Sequence, residues 1–375
     1  MTLSDLRTPC VLVDHTRLER NIDRMQAAAS ARGLRLRPHA KTHKSPELAR
    51  VQIGRGAIGI CCAKLGEAEV FADVGIENIR LPYPLQPVNA DRVLALLDKT
   101  RLSFIVDHLG VARGWSDALH RAGRRADVLV KVDVGFHRCG IDPGASDAAE
   151  FVARVAEMPG LTFRGLLSHA GHAYLANSEA EIAAVAETEA TLLTDLAARV
   201  NDLGVPVDEV SVGATPTARF SVQQDGLTEI RPGNYIYYDR TQVALGSATW
   251  DDCALTVLAR VVSRPASDRV ILDCGSKTLT NDQARGCSVD TRGYGAVFEC
   301  LENPVPDASL TIERLSEEHA NVRVSGATRE LVPGDLVRVV PNHSCVVSNL
   351  VDTVWLVNGQ KVEERLDVSA RGRIT

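Results

Sequence analysis

Residues 102–134 read LSFIVDHLGVARGWSDALHRAGRRADVLVKVDV. A short apolar run, LSFIVD, leads into a stretch of helical texture, and a second apolar run, DVLVKVDV, follows from Asp127. Strand, helix, strand is the unit of a parallel sheet, because parallel neighbours need a long crossover and a helix supplies it. The alternation extends outward on both sides. Apolar runs begin near Leu34 (LRLRP), Ala57 (AIGIC), Asn78 (NIRLPY), Leu161 (LTFRGLLSH), Glu209 (EVSVG) and Thr228 (TEIRPG), making eight in all. Amphipathic helical stretches such as 45–53, 65–74, 88–97 and 179–203 lie between them. Eight such units predict an α/β fold with a parallel sheet closed into a (β/α)8 TIM-like barrel. An open doubly wound sheet is the alternative with the same texture.

After about Ala244 the helical periods stop. Runs at 253–263, 269–272, 310–312, 321–324, 336–340 and 353–357 read as strands separated by Gly, Pro and Asp turns. The expected organisation is an N-terminal strand within 1–14, able to pair with either part, a barrel over 15–244, and a smaller β-rich domain over 245–375. The 375 residues are 45% hydrophobic with a net charge of −6. That suits a globular chain and gives no support for a nucleic-acid or anionic-membrane partner. No apolar run is long enough to span a bilayer, and Met1-Thr2-Leu3-Ser4-Asp5 lacks the basic-then-apolar order of a secretory signal. Nine scattered cysteines without a CxxC pair fit reduced thiols in a cytoplasm, most of them as small buried hydrophobes, with Cys345 set apart.

In such a barrel the chemistry lies at the C-terminal strand ends. There the sequence places Pro38-His39-Ala40-Lys41-Thr42-His43-Lys44, then Gly135-Phe136-His137-Arg138-Cys139-Gly140, then Ser168-His169-Ala170-Gly171-His172-Ala173-Tyr174. Gly213-Ala214-Thr215-Pro216-Thr217 and Pro232-Gly233-Asn234-Tyr235 follow the last two runs. Only seven lysines occur, so one at a strand end is informative. Lys41 beside His39, His43 and Lys44 is expected to lose its proton readily among cations, as Schiff-base chemistry requires; a solvated basic loop is the other reading. Loops after strands seven and eight commonly hold phosphate, and Gly213, Thr215, Gly233 and Asn234 offer close backbone approach and polar donors. In the β-rich part, His343 and Cys345 lie two apart, and in an extended segment they would share a face. A histidine and a thiolate suit a borderline ion such as Zn²⁺, with open positions left for water or substrate; a buried cysteine beside a satisfied histidine is the plainer reading.

The segment Arg37–Lys44 closely resembles the pyridoxal-phosphate (PLP) lysine segment of the D-threonine aldolase and D-serine dehydratase family, which has the alanine-racemase fold (fold type III). Asp133-Val134-Gly135-Phe136-His137-Arg138-Cys139-Gly140 looks like its arginine motif, Pro341-Asn342-His343-Ser344-Cys345 looks like its metal motif, and the His169, Gly213 and Gly233 segments match in family order. The resemblance implies that Lys41 carries the cofactor, that Arg138 faces its ring nitrogen, and that Gly213, Thr215, Gly233 and Asn234 hold the phosphate. It also implies that His169, Tyr174 and Tyr235 lie beside the cofactor, that His343 and Cys345 bind a divalent metal (Zn, Mn or Mg), and that His319 lines the pocket. His169 and His319 join Lys41 as catalytic candidates. The implied substrate is a D-3-hydroxy-α-amino acid, handled by a homodimer with shared sites. Two reactions suit these residues: retro-aldol cleavage to glycine and an aldehyde, or dehydration to a 2-oxo acid and ammonia as in D-serine and D-3-hydroxyaspartate dehydratases. The Arg37–Lys44 and Asp133–Gly140 segments look closer to the aldolase branch, so cleavage is the first expectation. A racemase would need a tyrosine base from the β-rich part, where Tyr294 lies in an unlike motif. A non-catalytic PLP-binding protein would lack the second domain.

Overall fold

The computed structural model describes residues 1–286, 289–299, 304–326 and 330–375; Cys287 and Cys300 lie outside the described residues. After strand β1 (Cys10–Asp14), eight strands form one parallel sheet: β2 (Arg35–Leu36), β3 (Ile60–Cys61), β4 (Asn78–Pro84), β5 (Arg101–Val106), β6 (Ala126–Lys131), β7 (Leu161–Leu167), β8 (Glu209–Val212) and β9 (Glu229–Ile230). Neighbours follow the chain from β3 to β9, and β9 pairs with β2. The last gap is closed by Ile58 N–H to Leu36 O (2.9 Å) and Cys61 N–H to Pro38 O (2.7 Å), so the sheet is a complete ring rather than an open one.

Strand alternation divides the side chains. On β6, Val128 and Val130 face outward into the helix-covered core, whereas Leu129 packs inside with Ile105 and Leu167. Lys131, two residues beyond Leu129, is carried inward by the same period. The lower interior is ionic. Arg80 pairs with Glu229 (2.5 Å) and Glu209 (2.7 Å) and donates to Ser103 Oγ (3.0 Å). Arg37 pairs with Glu229 (2.8 Å), and Ser211 Oγ donates to Glu229 (2.5 Å) while accepting from Arg231. Burial opposes the charge on Glu229, but Arg80, Arg37 and Arg231 outweigh it and hold the carboxyl at about 2. Among the covering helices, Glu179–Asp202 is rich in Ala, Glu and Leu and starts at Ser178, whose side chain accepts the Glu181 N–H (3.2 Å).

The rest of the chain forms a second sheet: β10 (Leu255–Ala266), β11 (Arg269–Leu272), β12 (Ala296–Phe298), β13 (Leu310–Leu315), β14 (Ala320–Val324), β15 (Leu336–Val340), β16 (Thr353–Asn358) and β17 (Lys361–Asp367). Long strand β10 pairs with β15, β11 and β1, which curls part of the sheet into a closed antiparallel barrel. Strand β1 is antiparallel to β10 and parallel to β16, so the N-terminal strand lies in the second sheet. Strand β17 was not expected; its residues, KVEERLD, put charges on an edge, where they block further pairing. The seven described cysteines are free thiols, four of them buried. No helix of the described residues is long and apolar enough to cross a membrane.

Candidate active site

A cavity of about 650 Å³ opens at the C-terminal ends of the barrel strands. It is lined by Lys41 after β2, Lys131 at the end of β6 with Arg138 in the loop that follows, His169 and Tyr174 after β7, Gly213 and Thr215 after β8, and Arg231, Gly233 and Asn234 after β9. His343 and Cys345 close it from the second sheet.

Lys41 is the middle residue of a single 3-10 turn, Ala40–Thr42. Of the three cations expected around it, the two histidines are neutral and the lysine is paired. Burial, then Lys41 and Arg231, push His39 well below its ordinary value, and burial pushes His43 down to about 4. Lys44 is buried against Glu67. The charge facing the cavity comes from elsewhere: Arg138, whose guanidinium lies 5.0 Å from the Phe136 ring centroid, and Arg231, held by Ser211 and the Ser168 carbonyl. Burial and then Arg231 lower Lys131 to about 7.

His169 is fixed in one tautomer. Its Nδ1 lies 2.5 Å from Gly213 O, which can only accept, so Nδ1 carries the proton. Burial and then Lys131, Lys41 and Arg138 hold the ring neutral, leaving Nε2 as its acceptor. Tyr174 Oη accepts from Gln242 (3.2 Å), and burial keeps the phenol protonated, so its O–H remains available as a donor.

Two expected residues lie outside the cavity, and a third is engaged differently. Tyr235 turns away: it is fully buried and accepts from Gln52 Nε2 (2.8 Å), whose carbonyl oxygen contacts His43. It follows Asn234 in a 3-10 turn, where successive side chains diverge by roughly 120°. His319 is exposed between β13 and β14 and does not line this cavity. Asn234 does line it, but its amide nitrogen is committed to Asp239 (2.6 Å), Ser344 (3.0 Å) and Cys345 (3.6 Å), which leaves its backbone for a phosphate. Tyr294 packs against the second sheet and is also absent from the cavity lining.

His343 and Cys345 meet by a different geometry from the expected strand face. His343 caps the helix Ser344–Leu350, and Cys345 is its second residue. The Asp239 carboxylate anchors this turn by accepting the Ser344 N–H (3.0 Å). His343 Nδ1 lies 2.7 Å from Asp282. Burial works against the charge on His343, yet Cys345, Asp239 and Asp282 raise it to about 10. Burial likewise opposes the Cys345 thiolate, but His343, Lys41 and Thr42 draw the thiol below its ordinary range. The thiolate is the form of cysteine that binds a metal, and His343 would release its proton on joining it as a ligand. Among the described residues no third His, Cys, Asp or Glu completes a metal cluster, so other positions would fall to water or substrate.

The cavity fits PLP on three observations. Thr215 Oγ1 is buried without a hydrogen-bond partner among the described residues. Gly213 and Gly233 line the cavity without side chains, so a phosphate can approach their backbones, and each packs closely on the protein, Gly233 on His39 and Thr42 and Gly213 on Arg231. A primary amine stands beside them on the rim. Sequence reading missed Lys131, Arg231, Asp239, Gln242 and Asp282. A lysine inside the apolar run DVLVKVDV and an arginine just before Gly233 were usable signals; Asp282 reaches His343 across 61 residues with no local one.

Residues 13–241 match the model of the alanine racemase N-terminal domain, and residues 254–357 that of a putative serine dehydratase domain. The chain is 34% identical to a D-threonine aldolase of Arthrobacter sp., over 99% of this chain and 94% of that one. It is 33% identical to a D-threo-3-hydroxyaspartate dehydratase of Delftia sp., over 92% of each. A metal-free cysteine-to-alanine variant of a D-threo-3-hydroxyaspartate dehydratase superposes with a TM-score of 0.91 at 29% identity, covering 98% of both chains. The chain therefore belongs to the D-threonine aldolase and D-serine dehydratase family of PLP-dependent lyases with the alanine-racemase fold.

Proposed function

We propose that this protein is a PLP- and divalent-metal-dependent lyase that cleaves D-3-hydroxy-α-amino acids by a retro-aldol reaction. The observation that carries the reading is the locked tautomer of His169, which supplies a neutral base separate from Lys41. Lys41 would hold the cofactor. Thr215 Oγ1 and the backbone at Gly213, Gly233 and Asn234 would hold its phosphate, and the Arg138 and Arg231 guanidiniums would flank its ring, with an arginine against the ring nitrogen keeping it unprotonated. His343 and Cys345 would hold the ion. When bound, PLP supplies an electron sink at the substrate Cα and the ion acidifies a coordinated hydroxyl. His169 Nε2 accepts the proton of the β-hydroxyl as the Cα–Cβ bond breaks, releasing an aldehyde, and glycine remains after a proton is returned to Cα. Tyr174 donates its O–H within the same cavity.

A second reading, β-elimination, is favoured by the thiolate character of Cys345. A soft ligand selects Zn²⁺, a Lewis acid for a departing hydroxide, with Lys41 as base at Cα. The homodimer with shared sites belongs to the proposal, supported by Leu175, an exposed apolar side chain at the cavity mouth. So does a cytoplasmic location, supported by the free thiols. Product analysis with D-threonine, PLP and Mn²⁺ or Zn²⁺ decides: glycine and acetaldehyde establish cleavage, and 2-oxobutanoate with ammonia replaces it by dehydration. Absence of turnover with D-threonine, D-serine and D-3-hydroxyaspartate overturns the substrate class.

A further inference from the structure

Several contacts converge on the Cys345 sulfur. Sγ lies 3.2 Å from the Thr42 hydroxyl and 3.6 Å from the Asn234 amide nitrogen. Thr42 is the residue after Lys41, in the same one-turn 3-10 segment, and it is fully buried. It also packs on the second cofactor-side turn, since a Cβ at Gly233 would come within 3.0 Å of its hydroxyl. Asn234, on that turn, is tied through Asp239 to the helix start that carries Cys345. One sulfur thus touches both turns that would hold the cofactor, although 303 residues separate it from Thr42.

We propose that Thr42 is a positioning residue that orients the Cys345 sulfur for the divalent ion, and that through it metal and cofactor occupancy are energetically linked. The proposal rests on the His343–Cys345 metal site proposed above. A buried hydroxyl with one strong acceptor in reach holds that acceptor in place, and partners of metal ligands commonly change metal affinity by about 10- to 100-fold. Seating the cofactor on Lys41 immobilises the turn that contains Thr42, which orders Sγ before the ion arrives. Linkage is reciprocal, so the ion must tighten the cofactor by the same factor.

The test is the Zn²⁺ dissociation constant, measured by competition with a chromophoric chelator on PLP-loaded and PLP-free protein. PLP is expected to tighten Zn²⁺ by about fivefold or more, and Zn²⁺ to tighten PLP equally. Thr42→Val should weaken Zn²⁺ by about tenfold and bring its two constants together, while Thr42→Ser restores both the affinity and the gap. Equal Zn²⁺ affinity in loaded and unloaded wild type overturns the linkage. This comparison needs no variant, so it decides even where Thr42→Val does not fold. A folded Thr42→Val that binds like wild type overturns the positioning role. Zn²⁺ binding unchanged by Cys345→Ser sinks the metal-site reading itself, a result separate from binding without linkage.

Discussion

The floor of the parallel barrel and its rim treat buried polar groups in opposite ways. On the floor Glu229 accepts from Arg37, Arg80 and Ser211, while Arg80 also reaches Glu209 and Ser103. On the rim Thr215 Oγ1, Asn234 Oδ1 and Gln242 Oε1 are buried without a partner among the described residues. An unsatisfied buried polar atom costs about 1–3 kcal/mol, so several in one cavity are a standing deficit that a ligand can relieve. The floor is finished structure; the rim is built around something still to arrive.

Changes to each region should therefore act on different observables. The largest effect is expected from Lys41→Ala, which should abolish the visible cofactor absorption and the activity together; an intact band in that variant breaks the assignment. Next comes Glu229→Gln on the floor. It leaves buried guanidiniums without their carboxylate and should destabilise the fold by about 3–5 kcal/mol in urea denaturation at pH 7. The folded pKa of Glu229 is depressed to about 2 from an ordinary 4.5. Its contribution is thus fully present above 4.5 and lost as pH falls towards 2, so the gap between wild type and Glu229→Gln should narrow at pH 3. A gap that widens on acidification would contradict the ion-pair account.

Thr215→Val tests the rim. It removes a hydroxyl that has no partner in the protein, so the cofactor-free protein should lose no stability. PLP affinity should fall by about tenfold or more, the value of one hydrogen bond to a charged group. Lost stability with unchanged PLP affinity would reverse the contrast. The smallest effect belongs to Tyr235→Phe. Loss of the Gln52 bond should cost about 1 kcal/mol of stability and leave PLP affinity within twofold, because Tyr235 does not line the cavity. A tenfold weaker cofactor would return Tyr235 to the site.

Legibility in the sequence followed the range of the interactions. The eight strand–helix units were readable because strand and helix periods are local, and strand ends then located Lys41, His169, Gly213 and Gly233 on one rim. The pairing of His343 with Cys345 was readable from spacing, but its geometry was not: Asp239 fixes Ser344 as a helix start, so the two side chains meet at a cap rather than on a strand face. Tyr235 and Asn234 are neighbours in sequence, but the 3-10 turn Asn234–Ile236 points their side chains apart.

By itself the sequence determined the order of the units, the parallel barrel followed by a β-rich part, and the chemical inventory of the rim. Only the tertiary structure decided what state those groups are in. It made His39 and His43 neutral, gave His169 its tautomer through Gly213 O, turned the Asn234 amide towards Cys345, and kept Tyr235 and His319 out of the cavity. The reason is physical. Secondary structure answers to residues a few positions away, whereas charge state and hydrogen-bond direction answer to burial and to partners as far off as the 303 residues between Thr42 and Cys345.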